Sequence, residues 1–295
     1  MALIELDGVT TIFGRRPRRA LDAVRGGAGK AALLAEWGHT LALDEVSLAI
    51  EAGQVFVLMG LSGSGKSTLV RHVNRLVEPT AGHVRVDGVD VLALDRAGLG
   101  AFRRRMVAMV FQHFGLLPHR PVIENVAYGL AIRGERRAAR EAKAAEWIAR
   151  VGLAGYERHY PAALSGGMQQ RVGLARALAV ETPILLMDEP FSALDPLTRA
   201  ELQDLLADLQ RDHGRTIVFV THDLDEATRL GDRIAILRDG VVVQEGTPAD
   251  ILERPADDHV RAFVGAIHRP RRAGRDAARP AGQSPSRPLA SPSAG

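Results

Sequence analysis

An α/β fold with a mostly parallel central sheet is predicted by three observations in this 295-residue chain. Apolar runs of strand length recur at residues 54–59 (QVFVLM), 183–189 (PILLMDE) and 216–222 (TIVFVTH). Helical stretches separate them, the pattern of a sheet covered on both faces. The first run opens into Gly60-Leu61-Ser62-Gly63-Ser64-Gly65-Lys66-Ser67-Thr68, and residues 69–73 continue with helical spacing. The other two end in Asp188-Glu189 and His222, at the carboxyl ends of strands, where such sheets bind ligands.

Strand, glycine-rich loop and helix in that order form a phosphate-binding loop. The glycines let backbone N–H groups turn toward phosphate oxygens, and the helix N-terminus adds its positive end. Lys66 then reaches the β- and γ-phosphates, and the Ser67 hydroxyl sits on Mg²⁺. Only Lys30, Lys66 and Lys143 are lysine among 38 Lys+Arg, so a lysine at position 66 points to a chemical requirement. The segment implies a nucleoside triphosphate site.

Composition narrows the classes. A hydrophobic content of 46% supports a sizeable core. No apolar run approaches the ~18 residues of a membrane span, and the N-terminus lacks a signal peptide's basic-then-apolar order. With no cysteine, disulfides and zinc–thiolate sites are excluded. A soluble, cytosolic chain is expected. The pI near 9.6 invites a nucleic-acid reading, but residues 15–30 and 269–295 each carry a net +5, leaving −7 for the rest of a chain of net +3. The body is acidic, and no nucleic-acid partner is expected.

Taken in order, residues 3–13 and 41–50 alternate as half-buried strands. Between them an insertion at 15–40 contains two short helical patterns, each ending at glycine. Its GGAGK (26–30) is a decoy phosphate loop: Val24 stands where the first glycine belongs, and Ala31 follows the lysine. Residues 83–91 read as two strand pieces around an Asp-Gly turn. Residues 103–112 (RRRMVAMVFQ) read as a strand running into Gln112. Residues 113–165 are helical by periodicity and by their Ala, Glu and Arg content, a helical insertion within the α/β frame. Residues 233–246 read as a hairpin. The tail at 268–295, rich in Arg, Pro, Ser and Ala, reads as disordered.

Asp188 offers the hard oxygen that Mg²⁺ requires. Glu189 is placed to orient or deprotonate an attacking water, a role worth about 10²–10⁴-fold in rate. The stretch Leu164-Ser165-Gly166-Gly167-Met168-Gln169-Gln170-Arg171 leads into helix and makes a second anion site at a helix start. Two such starts with only one lysine suggest that the second serves another copy's nucleotide.

These motifs resemble the ATPase subunit of ATP-binding cassette (ABC) transporters. In family order they are the phosphate loop 60–68, Gln112, the signature 164–170, Asp188-Glu189, the loop Ser192-Ala193-Leu194-Asp195, and His222. The resemblance spans about residues 1–267, with 268–295 as a tail. It implies a phosphate-loop NTPase of ABC type, with an antiparallel β subdomain and a helical subdomain at about 113–165. It further implies two copies closed head to tail on two ATP molecules. By the matched positions, ATP is held by Gly60, Ser62, Gly63, Ser64, Gly65, Lys66, Ser67, Thr68 and Gln112, and by Ser165, Gly166, Gly167, Gln169 and Asp195 toward the other copy's nucleotide. Mg²⁺ falls to Ser67, Gln112 and Asp188. Glu189 is the implied base, with His222 and Lys66 on the γ-phosphate. The family stacks adenine on an aromatic residue near the first strand; Phe13 is the candidate, and a core phenylalanine is the other reading.

A closer resemblance is to the quaternary-amine importers of glycine betaine, proline or choline. It rests on WGHTLALDEVSLAI, VFVLMGLSGSGKSTLVRHVNRLVEPTAG, VFQHFGLLPHRPVIENVAYGL and THDLDEATRLGDRIAILRDG. It implies a membrane-spanning permease as partner, a substrate-binding protein indirectly, and a peripheral place on the cytoplasmic face of the membrane. Many such relatives continue into paired CBS domains where this chain has its tail, so gating by ionic strength of the CBS type is expected to be absent. Salt-dependent ATPase activity that survives deletion of the tail would contradict that. Other classes fit less well. Repair proteins of the family carry long coiled coils or zinc modules, translation members two cassettes, and phosphate-loop kinases need no LSGGMQQ.

Overall fold

A computed structural model of the protein describes residues 2–267. Two sheets and a set of helices enclose two main cores. Strands β1 (Ala2–Phe13) and β2 (Thr40–Glu51) pair antiparallel and flank the insertion, which forms helices α1 (Pro17–Arg25) and α2 (Lys30–Trp37), each capped by a glycine as expected. With β4 (Ala81–Val86) and β5 (Val89–Asp90), joined through the left-handed Asp87-Gly88 turn, they make an antiparallel sheet of order β2-β1-β4-β5.

The second sheet has the order β10-β9-β3-β8-β7-β6. Strands β3 (Val55–Met59), β6 (Val107–Val110), β7 (Ile184–Asp188), β8 (Thr216–Val220) and β9 (Arg233–Arg238) run parallel. The edge strand β10 (Val241–Gly246) closes the expected hairpin with β9. The continuous apolar runs follow from burial on both faces: Val57, Leu185 and Phe219 face one core, while Phe56, Leu186 and Val218 face the other. The second core lies against the antiparallel sheet and α3 (Lys66–Val73). The first is covered by α5 (Val122–Val126), α6 (Tyr128–Ile132), α7 (Arg137–Arg150), α8 (Gly166–Ala179), α9 (Pro196–His213), α10 (Leu224–Leu230), α11 (Pro248–Glu253) and α12 (Asp258–Ile267).

Two expectations shift. The strand expected over 103–112 is shorter, because Arg103–Arg105 form the last turn of α4 (Arg96–Arg105). Asp95 caps that helix by accepting from Gly98 N, and three arginines at its C-terminal end suit the helix dipole. Arg103 also donates to the carbonyls of Asn74 and Arg75, which holds it away from the sheet. The helical unit does not stop at 165: α8 packs on α5, α6 and α7 and also on β6, tying that unit into the sheet. The tail at 268–295 lies outside the described residues. Among the described residues no helix is long and apolar enough to cross a membrane.

Candidate functional site

Parallel pairing lines up the chemistry. Leu58 and Asp188 both pair with Val220, on opposite sides of β8, and Val110 pairs with Met187. The segments leaving β3, β8, β7 and β6 therefore emerge side by side at the sheet's carboxyl edge. They carry the phosphate loop, Thr221-His222, Asp188-Glu189 and Gln112.

The phosphate loop is glycine where the packing demands it. A Cβ on Gly60 (φ 142°) would come within 2.2 Å of the Leu237 carbonyl oxygen, and one on Gly65 (φ 104°) within 2.5 Å of that of Ala42. Ser62 and Gly63 are exposed at the loop's outer arm, Ser64 is buried, and Thr68 lies in the first turn of α3. Lys66 is only 6% exposed. Its ammonium donates to the carbonyls of Gly60 (2.9 Å) and Leu61 (2.8 Å). Burial lowers its pKa, while the carboxylates of Glu189 and Asp188 pull it back up.

Asp188 is fully buried, and each of its oxygens has a partner on one face of α3. Ser67 Oγ donates to Oδ1 (2.7 Å), and Arg71, four residues further along the helix, places Nη2 3.1 Å from Oδ2. Sequence reasoning missed Arg71, although its i+4 spacing from Ser67 was there to be read. The Ser67 hydroxyl beside a buried carboxylate is a hard-oxygen donor set, and it fits Mg²⁺. Gln112, in the turn after β6, donates through Nε2 to Glu189 Oε2 (3.3 Å), which leaves its carbonyl oxygen as a further hard donor.

Glu189 occupies the left-handed region (φ 48°), a conformation costing about 1–3 kcal/mol for a residue with a side chain. Its backbone is held there from several sides. The N–H donates to Val220 O (3.1 Å), and the carbonyl accepts from Gln170 Nε2 (3.1 Å) and Ser192 Oγ (3.1 Å). Gln170 is 1% exposed, and its Oε1 accepts from Ala193 N (2.9 Å). This second missed residue joins the signature helix to Glu189 and to the loop that follows it. Nothing in its local sequence distinguishes it from Gln169, whose amide instead anchors the preceding turn through Pro161 and Leu164.

The Glu189 carboxylate meets His222, with Nδ1 3.6 Å from Oε2. His222 follows the end of β8, and its side chain is 67% exposed. Glu226 lies behind it, accepting from Thr221 Oγ1 (2.6 Å), and burial raises its pKa. Arg199 links Asp223 (3.4 Å) and Glu226 (3.6 Å) to the Leu194 carbonyl. These side chains, with Glu189 and Ser192, line a small cavity of about 60 Å³.

The other expected residues lie on the outside. Ser165 caps α8 by accepting from Met168 N, and Ser165 and Gly166 are exposed with Gly167 half-buried. Asp195 caps α9 by accepting from Thr198 N, and these hydrogen bonds lower its pKa. Phe13, at the end of β1, is 45% exposed, so it is not a core residue.

The ABC transporter family model matches residues 43–192. The glycine betaine/proline betaine transport system ATP-binding protein ProV of Escherichia coli is 54% identical over 264 residues, covering 90% of this chain and 66% of that protein. The chain thus spans about two thirds of the length of that relative. The trimethylamine N-oxide transport system ATP-binding protein TmoW of Ruegeria pomeroyi is 49% identical over 269 residues, covering 91% of this chain and 79% of that protein. Among solved structures, the ATP-binding cassette MJ0796, a dimer in a post-hydrolysis state bound to ADP and Pi, superposes with a TM-score of 0.73 at 34% identity, covering 83% of this chain and 98% of that one. The match across half the chain and the relatives across nine tenths of it agree with the order of motifs along the sheet edge: the chain belongs to the ABC transporter family.

Proposed function

We propose that this chain is the ATP-hydrolysing subunit of a membrane importer for a quaternary amine or other osmoprotectant, such as glycine betaine, choline or proline. The observation that carries the reading is the convergence at one sheet edge of a phosphate loop, the Ser67–Asp188 pair, and Glu189 held between Gln112 and His222.

In this mechanism Phe13 stacks on adenine, an exposed aromatic at the end of β1 being suited to it. The loop N–H groups and Lys66 hold the β- and γ-phosphates. Ser67, Asp188 and the Gln112 carbonyl oxygen would hold Mg²⁺, and a bound Mg²⁺ would supply positive charge toward the phosphoryl oxygens. Glu189 accepts a proton from the attacking water, and its fixed backbone and the Gln112 amide set the direction of that carboxylate. His222 faces the γ-phosphate from the neighbouring strand. Ser165, Gly166 and Gly167, at the exposed start of a 14-residue helix, present N–H groups and a dipole to the nucleotide of a second copy. Gln170 then gives a physical link, because the helix that senses the partner's nucleotide also holds the Glu189 carbonyl.

The cargo class rests on the relatives, since these residues touch nucleotide and permease but never cargo. An importer of another class, such as an amino acid, is the second reading: a methionine import ATP-binding protein, MetN of Caulobacter vibrioides, is 51% identical over 230 residues. Uptake of labelled glycine betaine and choline separates them, compared in cells carrying the wild type or Glu189→Gln. Loss of either uptake, with the protein still present, is the expected result. Unchanged uptake of both would remove the quaternary-amine reading.

A further inference from the structure

The insertion at 15–40 takes no part in the contacts described so far, yet it is firmly seated. Ala20 and Leu33 are fully buried with Ile12 and Leu41, and His39 bridges the carbonyls of Trp37 (2.5 Å) and Arg15 (2.6 Å) at its base. Seated there, α2 begins with Lys30, the lysine of the decoy loop. Its Nζ lies 3.4 Å from the Gly63 carbonyl oxygen of the phosphate loop and 3.7 Å from Asp239 Oδ1.

Asp239 belongs to the turn between β9 and β10, and that turn grips the same arm of the loop. Gly240 N donates to Ser64 O (3.1 Å), and Asp44 N donates to Gly240 O (2.9 Å), fastening the turn to β2. The Gly63-Ser64 arm is thus held through both its carbonyls by donors from outside the loop. Holding the Gly63 carbonyl also fixes the peptide that follows, whose N–H closes the turn onto Leu61 O (3.2 Å). An exposed ion pair by itself contributes little. A cation that orders a glycine-rich loop acts differently, because it removes conformational freedom that nucleotide binding would otherwise have to remove.

We propose that Lys30 is a positioning residue for the phosphate loop: through Gly63 and Asp239 the insertion sets the loop's shape and thereby the affinity for the phosphates of a nucleoside triphosphate. The inference rests on the nucleotide-site reading above. Lys30 touches loop backbone, so its effect passes through the loop.

The test is equilibrium binding of a fluorescent N-methylanthraniloyl ATP to the purified full chain, for wild type, Lys30→Ala, Lys30→Arg and Asp239→Asn. Both positions are exposed (37% and 75%), and thermal melting checks that each variant is folded. Positioning requires Lys30→Ala and Asp239→Asn each to weaken binding about three- to tenfold, the net scale of one ordinary solvent-exposed hydrogen bond, with Lys30→Arg close to wild type. A direct electrostatic role toward the nucleotide gives a different pattern: Asp239→Asn, which frees Lys30 of its counter-charge, would bind as tightly as wild type or more so, and that overturns the proposal. Wild-type affinity in folded Lys30→Ala overturns it too. Failure of the wild type itself to bind the probe would instead remove the nucleotide reading, and this inference with it.

Discussion

Replacing Glu189 with glutamine is expected to lower ATP turnover by about 10²–10⁴-fold while ATP binding stays near wild type, the loss being that of a general base. The substitution is nearly isosteric. It keeps a side-chain oxygen for Gln112 Nε2, and the backbone contacts from Val220, Gln170 and Ser192 hold the left-handed conformation whichever side chain is present. What disappears is the proton acceptor. Two readouts separate this from misfolding: single-turnover hydrolysis and equilibrium ATP binding on the same preparation. With hydrolysis blocked and the signature still able to receive the partner's nucleotide, a dimer should persist on size exclusion in the presence of ATP and Mg²⁺. Turnover within a few-fold of wild type would move the base elsewhere, and other titratable groups beside the same small cavity, His222, Asp223 and Glu226 among them, would be next.

Lys66→Ala acts on binding. Removing a buried cation from a phosphate site costs on the order of 2–5 kcal/mol, or about 30- to 5,000-fold in ATP affinity, and a severe loss of nucleotide binding is the expected result. A pH dependence follows from the same side chain. Burial lowers the Lys66 pKa from its ordinary 10.5, so the ammonium is lost at a lower pH than for a free lysine. Phosphate binding needs the ammonium, so ATP affinity should fall as pH rises through that window below 10.5, and Lys66→Ala should abolish this slope. Folding stability runs the other way. A lysine whose folded pKa lies below its unfolded value binds fewer protons when folded, and its contribution becomes more favourable as pH rises through the same window. Binding isotherms and melting temperatures across alkaline pH therefore have opposite signs, and an affinity that is flat with pH would contradict the role given to Lys66.

Much of the molecule was legible from residues alone, because the signals are local. Both-face burial wrote continuous apolar runs into β3, β7 and β8, helix C-termini in the insertion were marked by Gly26 and Gly38, and the loop 60–68 carries its chemistry in its spacing. The placement of β3 beside β8 was not legible, since these neighbours are far from consecutive in the chain, whereas β8-β7 and β7-β6 are consecutive pairs. Yet that placement is what sets His222 between the phosphate loop and Glu189. Arg103–Arg105 read as strand and proved helical because Asp95 caps α4 and the Asn74 and Arg75 carbonyls hold Arg103. Arg71 showed its helix face in sequence but not its partner, which lies 117 residues away.

The sequence by itself determined the fold class and the nucleotide loop, and it supplied Glu189 as the proposed base and Ser67, Gln112 and Asp188 as the proposed metal-facing residues, because backbone geometry and functional-group chemistry are encoded within a few residues. Only the tertiary structure decided who holds them. Gln170 pins the Glu189 carbonyl, Arg71 satisfies Asp188, and Lys30 reaches Gly63 across 33 residues of chain. Such hydrogen bonds form between whatever groups packing brings within about 3 Å, and no spacing along the chain announces them.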